Sequence, residues 1–201
     1  MKIKHLILIT IFITTLFKQG ISQNYYEVIK AYQDTMNTEF ANPKTSPLTE
    51  DDIVHFKKLD FFTIDSNFMV VAQLKVTPGE LPFQMKTTTS RKPIYVKYGE
   101  VSFVIKGVIY KLNVYQNMDL IKKDGYKDYL FMPFNDLTNG FETYGGGRYI
   151  DLKIPEGDTI IIDFNKCYNP YCAYNHSFSC PIPPEGNALN CKIMAGVKKF
   201  H

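Results

Sequence analysis

Apolar positions recur with two different periods along this chain, and the change of period divides it. Tyr25, Val28, Ile29, Tyr32 and Met36 fall at three-to-four spacing, which predicts a helix over about Tyr25 to Glu39 with one apolar face, ended by Asn42-Pro43. Thr49 with Asp52 reads as a capping box opening a short acidic-fronted helix through about Lys57. These elements form an expected N-terminal arm over residues 24–58, a lid or packing arm rather than a site.

From Leu59 onward the texture is that of strands. Phe68 to Val76 and the Thr-rich Leu81 to Thr89 are predicted strands separated by Pro78-Gly79. After Arg91-Lys92-Pro93 the pattern resumes at Ile94, and a turn at Lys106-Gly107 pairs Ile105 with Val108, Phe103 with Tyr110 and Val101 with Leu112. All six of those side chains then share the core face, opposite Glu100, Ser102, Val104, Ile109, Lys111 and Asn113; a slip of one residue would mix the two sets. Asp128 to Phe134 is a further strand, followed by a glycine-rich loop. Tyr149 to Ile154 and Thr159 to Phe164 read as a hairpin turning at Pro155-Glu156-Gly157-Asp158, and Cys191 to Ala195 as a last strand. The fold expected is mainly β, an antiparallel sandwich or partly closed barrel over residues 59–201, with one or two N-terminal helices packed on it.

Composition changes this picture at one end. Lys2 and Lys4 precede an apolar run from Leu6 to Phe17, with Gly20-Ile21-Ser22-Gln23 behind it, the layout of a signal peptide cleaved after Gln23; an uncleaved anchor is the alternative. The expected location is therefore periplasmic or secreted, with no stable membrane insertion after cleavage. Residues 1–23 hold three lysines and no acid, so the rest of the chain carries 20 basic and 20 acidic groups. A neutral domain without basic clusters is a poor partner for nucleic acid.

Several phrases are distinctive: KYGEVSFVIKG, YLFMPFNDLTNGFETYGGGRYIDL, IIDFNKCYNPYCAYN, CPIPPEGN and the closing IMAGVKKF. In this order they resemble a mostly bacterial family known only as domain of unknown function 1684. The resemblance implies a shared architecture and carries no activity, cofactor or site. Cys167 departs from the small residue expected at its position.

Chemistry concentrates between Gly145 and Cys191. The glycine triplet and Arg148 suggest a small polar or anionic ligand, with Tyr144, Tyr149, Asp163, Asn165 and Asn175 as further candidates. The structural alternative pairs Arg148 with Asp151 or Asp163. Glu142 and Asp163 are the candidate acid-base pair of a hydrolase. Cys172 and Cys180, eight positions apart, suit a disulfide in an exported protein; Cys172, His176 and Cys180 are the weaker metal alternative. No cofactor motif is present, and neither a Walker sequence nor a GxSxG elbow supports nucleotide or serine-hydrolase chemistry.

Overall fold

The computed structural model describes residues 24–201, so the predicted signal segment lies outside the described residues. Helix α1 covers 24–41 and α2 Glu50–His55. Seven strands follow: β1 Met69–Val76, β2 Phe83–Gln84, β3 Ile94–Ile105, β4 Val108–Asn117, β5 Tyr129–Phe134, β6 Arg148–Lys153 and β7 Thr159–Asp163. They form one antiparallel sheet in the order β6-β5-β4-β3-β1-β7, with β2 paired to the start of β3. The sheet curls into a half-barrel, and among the described residues no helix is long and apolar enough to cross a membrane.

The β3–β4 hairpin has the predicted register, Ile105 opposite Val108, Phe103 opposite Tyr110 and Val101 opposite Leu112. Its turn needs left-handed backbone at both central residues, which Lys106 (φ 49°) and Gly107 (φ 80°) supply. The core face is narrower than the pattern implies, because Val108 at the tip is half exposed whereas Val101, Phe103, Ile105 and Leu112 are buried. A register shift between Lys97 and Gly99 lets the first part of β3 pair with β2 and the second with β1. Gly99 is required there, since a Cβ would sit 2.7 Å from the Lys75 carbonyl oxygen.

Three strand expectations are corrected. The segment Leu81 to Thr89 contributes only Phe83–Gln84 to the sheet; beyond it Thr87 bridges antiparallel to Pro181, with the Ile182 amide donating to the Lys86 carbonyl at 2.8 Å and the Thr88 amide to the Cys180 carbonyl at 2.9 Å, so its backbone pairs with the C-terminal loop instead of a sheet strand. β6 and β7 do not form a hairpin. They are the two opposite edges of the sheet, β6 paired with β5 and β7 with β1, and residues 154–158 cross between those edges. Curling brings the edges to one cavity of about 460 Å³, lined also by Tyr25, Val28 and Ile29, so α1 lies across the seam. Lastly, Cys191 to Ala195 is not a strand: the Cys191 carbonyl accepts the Leu137 amide, but the Ile193 and Ala195 carbonyls are taken by an arginine.

The predicted helices are present, with the Thr49 hydroxyl accepting the Asp52 amide at 3.1 Å. α1 buries Ile29, Met36 and Phe40, and its first turn is tied to the sheet: the Tyr25 phenol donates to Asp163 at 3.0 Å.

Strand β5 explains how one sheet supports two apolar layers. Leu130, Met132 and Phe134 join the main core, while Phe131 packs in a second, aromatic cluster with Tyr95, Tyr115 and Tyr149. Covered on both sides, the strand is near-continuously apolar in sequence. The second layer forms the floor of the cavity described next.

Candidate functional site

Alternation along β6 sends neighbouring residues to opposite faces. Arg148 and Ile150 point into the main core, Tyr149 and Asp151 away from it. Arg148 is fully buried, with Nη2 2.7 Å from Asp136 Oδ2 and 2.8 Å from the Ile193 carbonyl, and Nη1 2.5 Å from the Ala195 carbonyl. Its partner is thus Asp136 rather than Asp151 or Asp163. A guanidinium with no exposed surface, occupied by a carboxylate and backbone carbonyls, organises the C-terminal segment and offers nothing to a ligand.

The glycine triplet serves the same purpose. Gly147 has φ 87°, and a Cβ there would lie 2.6 Å from Asn135 Oδ1 and 2.7 Å from the Phe134 carbonyl oxygen. Its role is close backbone packing rather than an anion cradle.

The opposite face opens into a cavity of about 470 Å³ walled by α1, β5, β6 and the 168–181 loop. Tyr32, Tyr95, Tyr129, Phe131, Tyr149 and Tyr168 line it, with Tyr171 and Phe178 among its further aromatics. Within this ring stands Asp151. Tyr129 and Tyr168 each donate a hydroxyl to Asp151 Oδ1 at 2.7 Å, and among the described residues no hydrogen bond reaches Oδ2. Burial first, and the Asp151 charge second, push the Tyr129 and Tyr168 phenols well above the ordinary tyrosine value, so both are protonated donors at neutral pH. Tyr149 donates its hydroxyl to the Pro181 carbonyl, and Tyr32 to the Lys166 carbonyl at 2.9 Å, fixing the rims. Among the described residues, the charged side chains lining the cavity are Asp151 and Glu39, both acidic.

Of the predicted ligand residues, Tyr149 reaches this cavity. Asp163 and Asn165 are spent elsewhere: Asp163 caps the turn Phe164–Lys166 and takes the Tyr25 hydroxyl, while Asn165 Nδ2 bonds Asp163, Tyr25 and the Asp65 carbonyl. Asn175 accepts the Ser177 amide at 3.0 Å in a surface turn. Tyr144 lies behind the cavity, its hydroxyl 3.8 Å from Cys172 Sγ.

Glu142 and Asp163 share no partner. Glu142 sits 2.7 Å from Lys192 Nζ, a contact that holds its carboxyl below the usual range, the opposite of what a general acid needs. Among the described residues no group of three or more His, Cys, Asp or Glu is placed to hold a metal, and the exposed His176 does not join Cys172 and Cys180. The four cysteines are free thiols, so no disulfide staples the loop. Cys172 and Cys180 are nevertheless neighbours, with the Cys172 amide 3.2 Å from Cys180 Sγ.

Sequence reasoning missed Asp151, Tyr129, Tyr168, Tyr95 and Tyr32 as one set. A signal was available in β5 and β6: Phe131 pairs with Asp151, which makes Tyr129 its diagonal neighbour on the same face. Tyr32 needed the placement of α1 across the seam, which no local pattern encodes.

Fold and cavity together define a helix-sealed antiparallel half-barrel with an aromatic cleft on its outer layer. The chain belongs to the family described as protein of unknown function (DUF1684), which matches residues 54–198. It is similar to the solution NMR structure of an uncharacterised protein from Haloarcula marismortui, with 30% identity and a TM-score of 0.68 over 89% of this chain and 96% of that one. No curated protein matches the chain.

Proposed function

We propose that the protein is an exported binding module whose site is the aromatic cavity around Asp151, and that its ligand is a small organic cation or a donor-rich ring compound. One observation carries the reading: a carboxylate held by two tyrosine hydroxyls stands in an aromatic cavity of about 470 Å³ whose charged lining is acidic. Aromatic faces attract cations and stack on flat rings, and a carboxylate with a free oxygen fixes an ammonium or hydroxyl group. An anionic ligand would meet Asp151 and Glu39 with no lining cation among the described residues to offset them.

The test is calorimetric titration of matched pairs, such as a primary arylalkyl amine against the carboxylic acid of the same shape. Saturable binding of the amine, lost on blocking its nitrogen, is the expected result. Tighter binding of the acids would overturn the assignment. Export is tested separately by fractionating the expressing cells and sequencing the mature N-terminus, expected at Asn24; a retained Met1 in the cytosol would overturn it.

A further inference from the structure

We infer that Cys172 and Cys180 form a redox-active dithiol site, which reacts with small disulfides reaching it through the aromatic cavity and closes an internal disulfide. The geometry is specific to this pair. Cys172 stands in the turn Tyr171–Ala173, and its amide donates to Cys180 Sγ at 3.2 Å. Cys180 is fixed from its other side by residue 88, whose amide donates to the Cys180 carbonyl at 2.9 Å and whose hydroxyl accepts the Cys180 amide at 3.1 Å. Backbone bonds therefore hold the two sulfurs as neighbours before any bond joins them, the preorganisation a disulfide exchange needs. Cys180 lines the cavity, which provides the approach.

The remaining cysteines are placed differently. Cys167 is enclosed, its sulfur donating to the Ala195 carbonyl at 3.4 Å, and Cys191 faces Tyr110. Around Cys172, the Cys180 thiol foremost, with the Tyr144 and Thr88 hydroxyls, stabilises a thiolate and lowers its pKa to about 6; the shared proton correspondingly pushes Cys180 up. The thiolate therefore resides on Cys172, beside the cavity-lining Cys180, and Cys172 is the nucleophile while Cys180 keeps the proton.

The steps balance as follows. The Cys172 thiolate attacks one sulfur of a small disulfide RSSR, forming Cys172–S–S–R and expelling RS⁻, which takes a proton from water. Cys180, losing its proton to solvent, then attacks the Cys172 sulfur; the Cys172–Cys180 bond forms and the second RS⁻ leaves and is protonated. Two protein thiols are oxidised by two electrons and one RSSR is reduced to two RSH.

The probe is oxidised glutathione, added to the reduced whole protein and followed by intact mass and peptide mapping. The expected product has lost two hydrogens, carries a Cys172–Cys180 crosslink and reverts with dithiothreitol; its rate of formation rises as pH is raised through about 6. Cys180→Ser is expected to stop at a glutathione adduct on Cys172. A wild-type protein that accumulates stable glutathione adducts without the crosslink, or a crosslink mapping to Cys167 or Cys191, would overturn the inference. None of these readouts depends on the cavity ligand.

Discussion

Arg148 and Asp151 lie three residues apart on β6 and have opposite fates. Arg148 is enclosed, and every polar atom that meets it belongs to the fold: Asp136, Thr138 and the carbonyls of Ile193, Ala195 and Val197. Asp151 is solvent-exposed on the other face, keeps one oxygen free of hydrogen bonds from the described residues, and is surrounded by aromatic rings. A dense cluster of chemistry thus marks a structural keystone, while the sparser one marks an opening. A charge that replaces missing β-pairing has to be satisfied within the protein. A charge that meets a ligand has to retain something unsatisfied.

The sharpest way to break this contrast is at the keystone. Arg148→Met leaves the Asp136 carboxylate buried beside three unpaired carbonyls, and removing one partner of a buried pair costs about 3–5 kcal/mol. Chemical denaturation should show a midpoint shift of that order, with the 191–198 segment exchanging its amide hydrogens fastest. A protein of unchanged stability would mean that Arg148 is free for another role. Replacing Asp136 as well, as Arg148→Met with Asp136→Leu, should recover part of the loss by removing the orphaned charge.

Next in size is Gly147→Ala. The left-handed backbone alone costs about 1–3 kcal/mol in a non-glycine residue, and the contact with Asn135 and the Phe134 carbonyl adds to it. A thermal melt should register the decrease. A neutral substitution would show that the loop relaxes freely, and would reopen the glycine triplet as a flexible ligand loop.

These two positions also show where the sequence was legible. Period-two alternation was sufficient for the β3–β4 register, because one face of that hairpin is core and a slip would bury Lys111. The same reasoning failed for β6 and β7, whose local turn chemistry suits a hairpin although the curled sheet makes them opposite edges. Curl is a property of the whole sheet, initiated by features such as the Lys97/Gly99 irregularity, and leaves no mark at Pro155 to Asp158. Arg148 was misread for a related reason: its true partner, Asp136, lies in the loop after β5, and the strand that Ile193 and Ala195 were expected to form is replaced by the guanidinium itself. In the cavity, Tyr149 was picked out by its proximity to arginine, and Asp151 was considered only as that arginine's partner. Its function depends on which face it occupies, and β6 alternation gives that directly.

Alkaline pH probes the open side with a smaller effect. Tyr129 and Tyr168 have folded-state values raised above the ordinary tyrosine value of about 10, by burial and by Asp151. The native state therefore keeps protons that the unfolded chain releases. Their contribution to stability is present below pH about 10 and declines as pH rises beyond it. Tyr129→Phe with Tyr168→Phe should flatten that decline in denaturation curves taken across the alkaline range; an unchanged slope would place the proton linkage elsewhere.

The smallest effect on stability, and the most informative one on function, is expected at Asp151→Asn. The substitution is isosteric, retains an oxygen that can accept the two tyrosine hydroxyls, and sits at an exposed position where most changes stay within about 0.5 kcal/mol. What it removes is the negative charge. If the cavity recognises a cation, affinity should fall by about 1–2 kcal/mol, roughly five- to thirtyfold, with the melting temperature unchanged. Tyr129→Phe, which releases one oxygen lone pair but preserves the ring and the charge, should weaken binding less than Asp151→Asn. The reverse order would mean that ring hydroxyls rather than charge select the ligand, which favours a donor-rich ring compound over an organic cation. Equal affinities for wild type and Asp151→Asn, measured with an amine that binds saturably, would remove Asp151 from the site and leave the aromatic walls as its sole recognition surface.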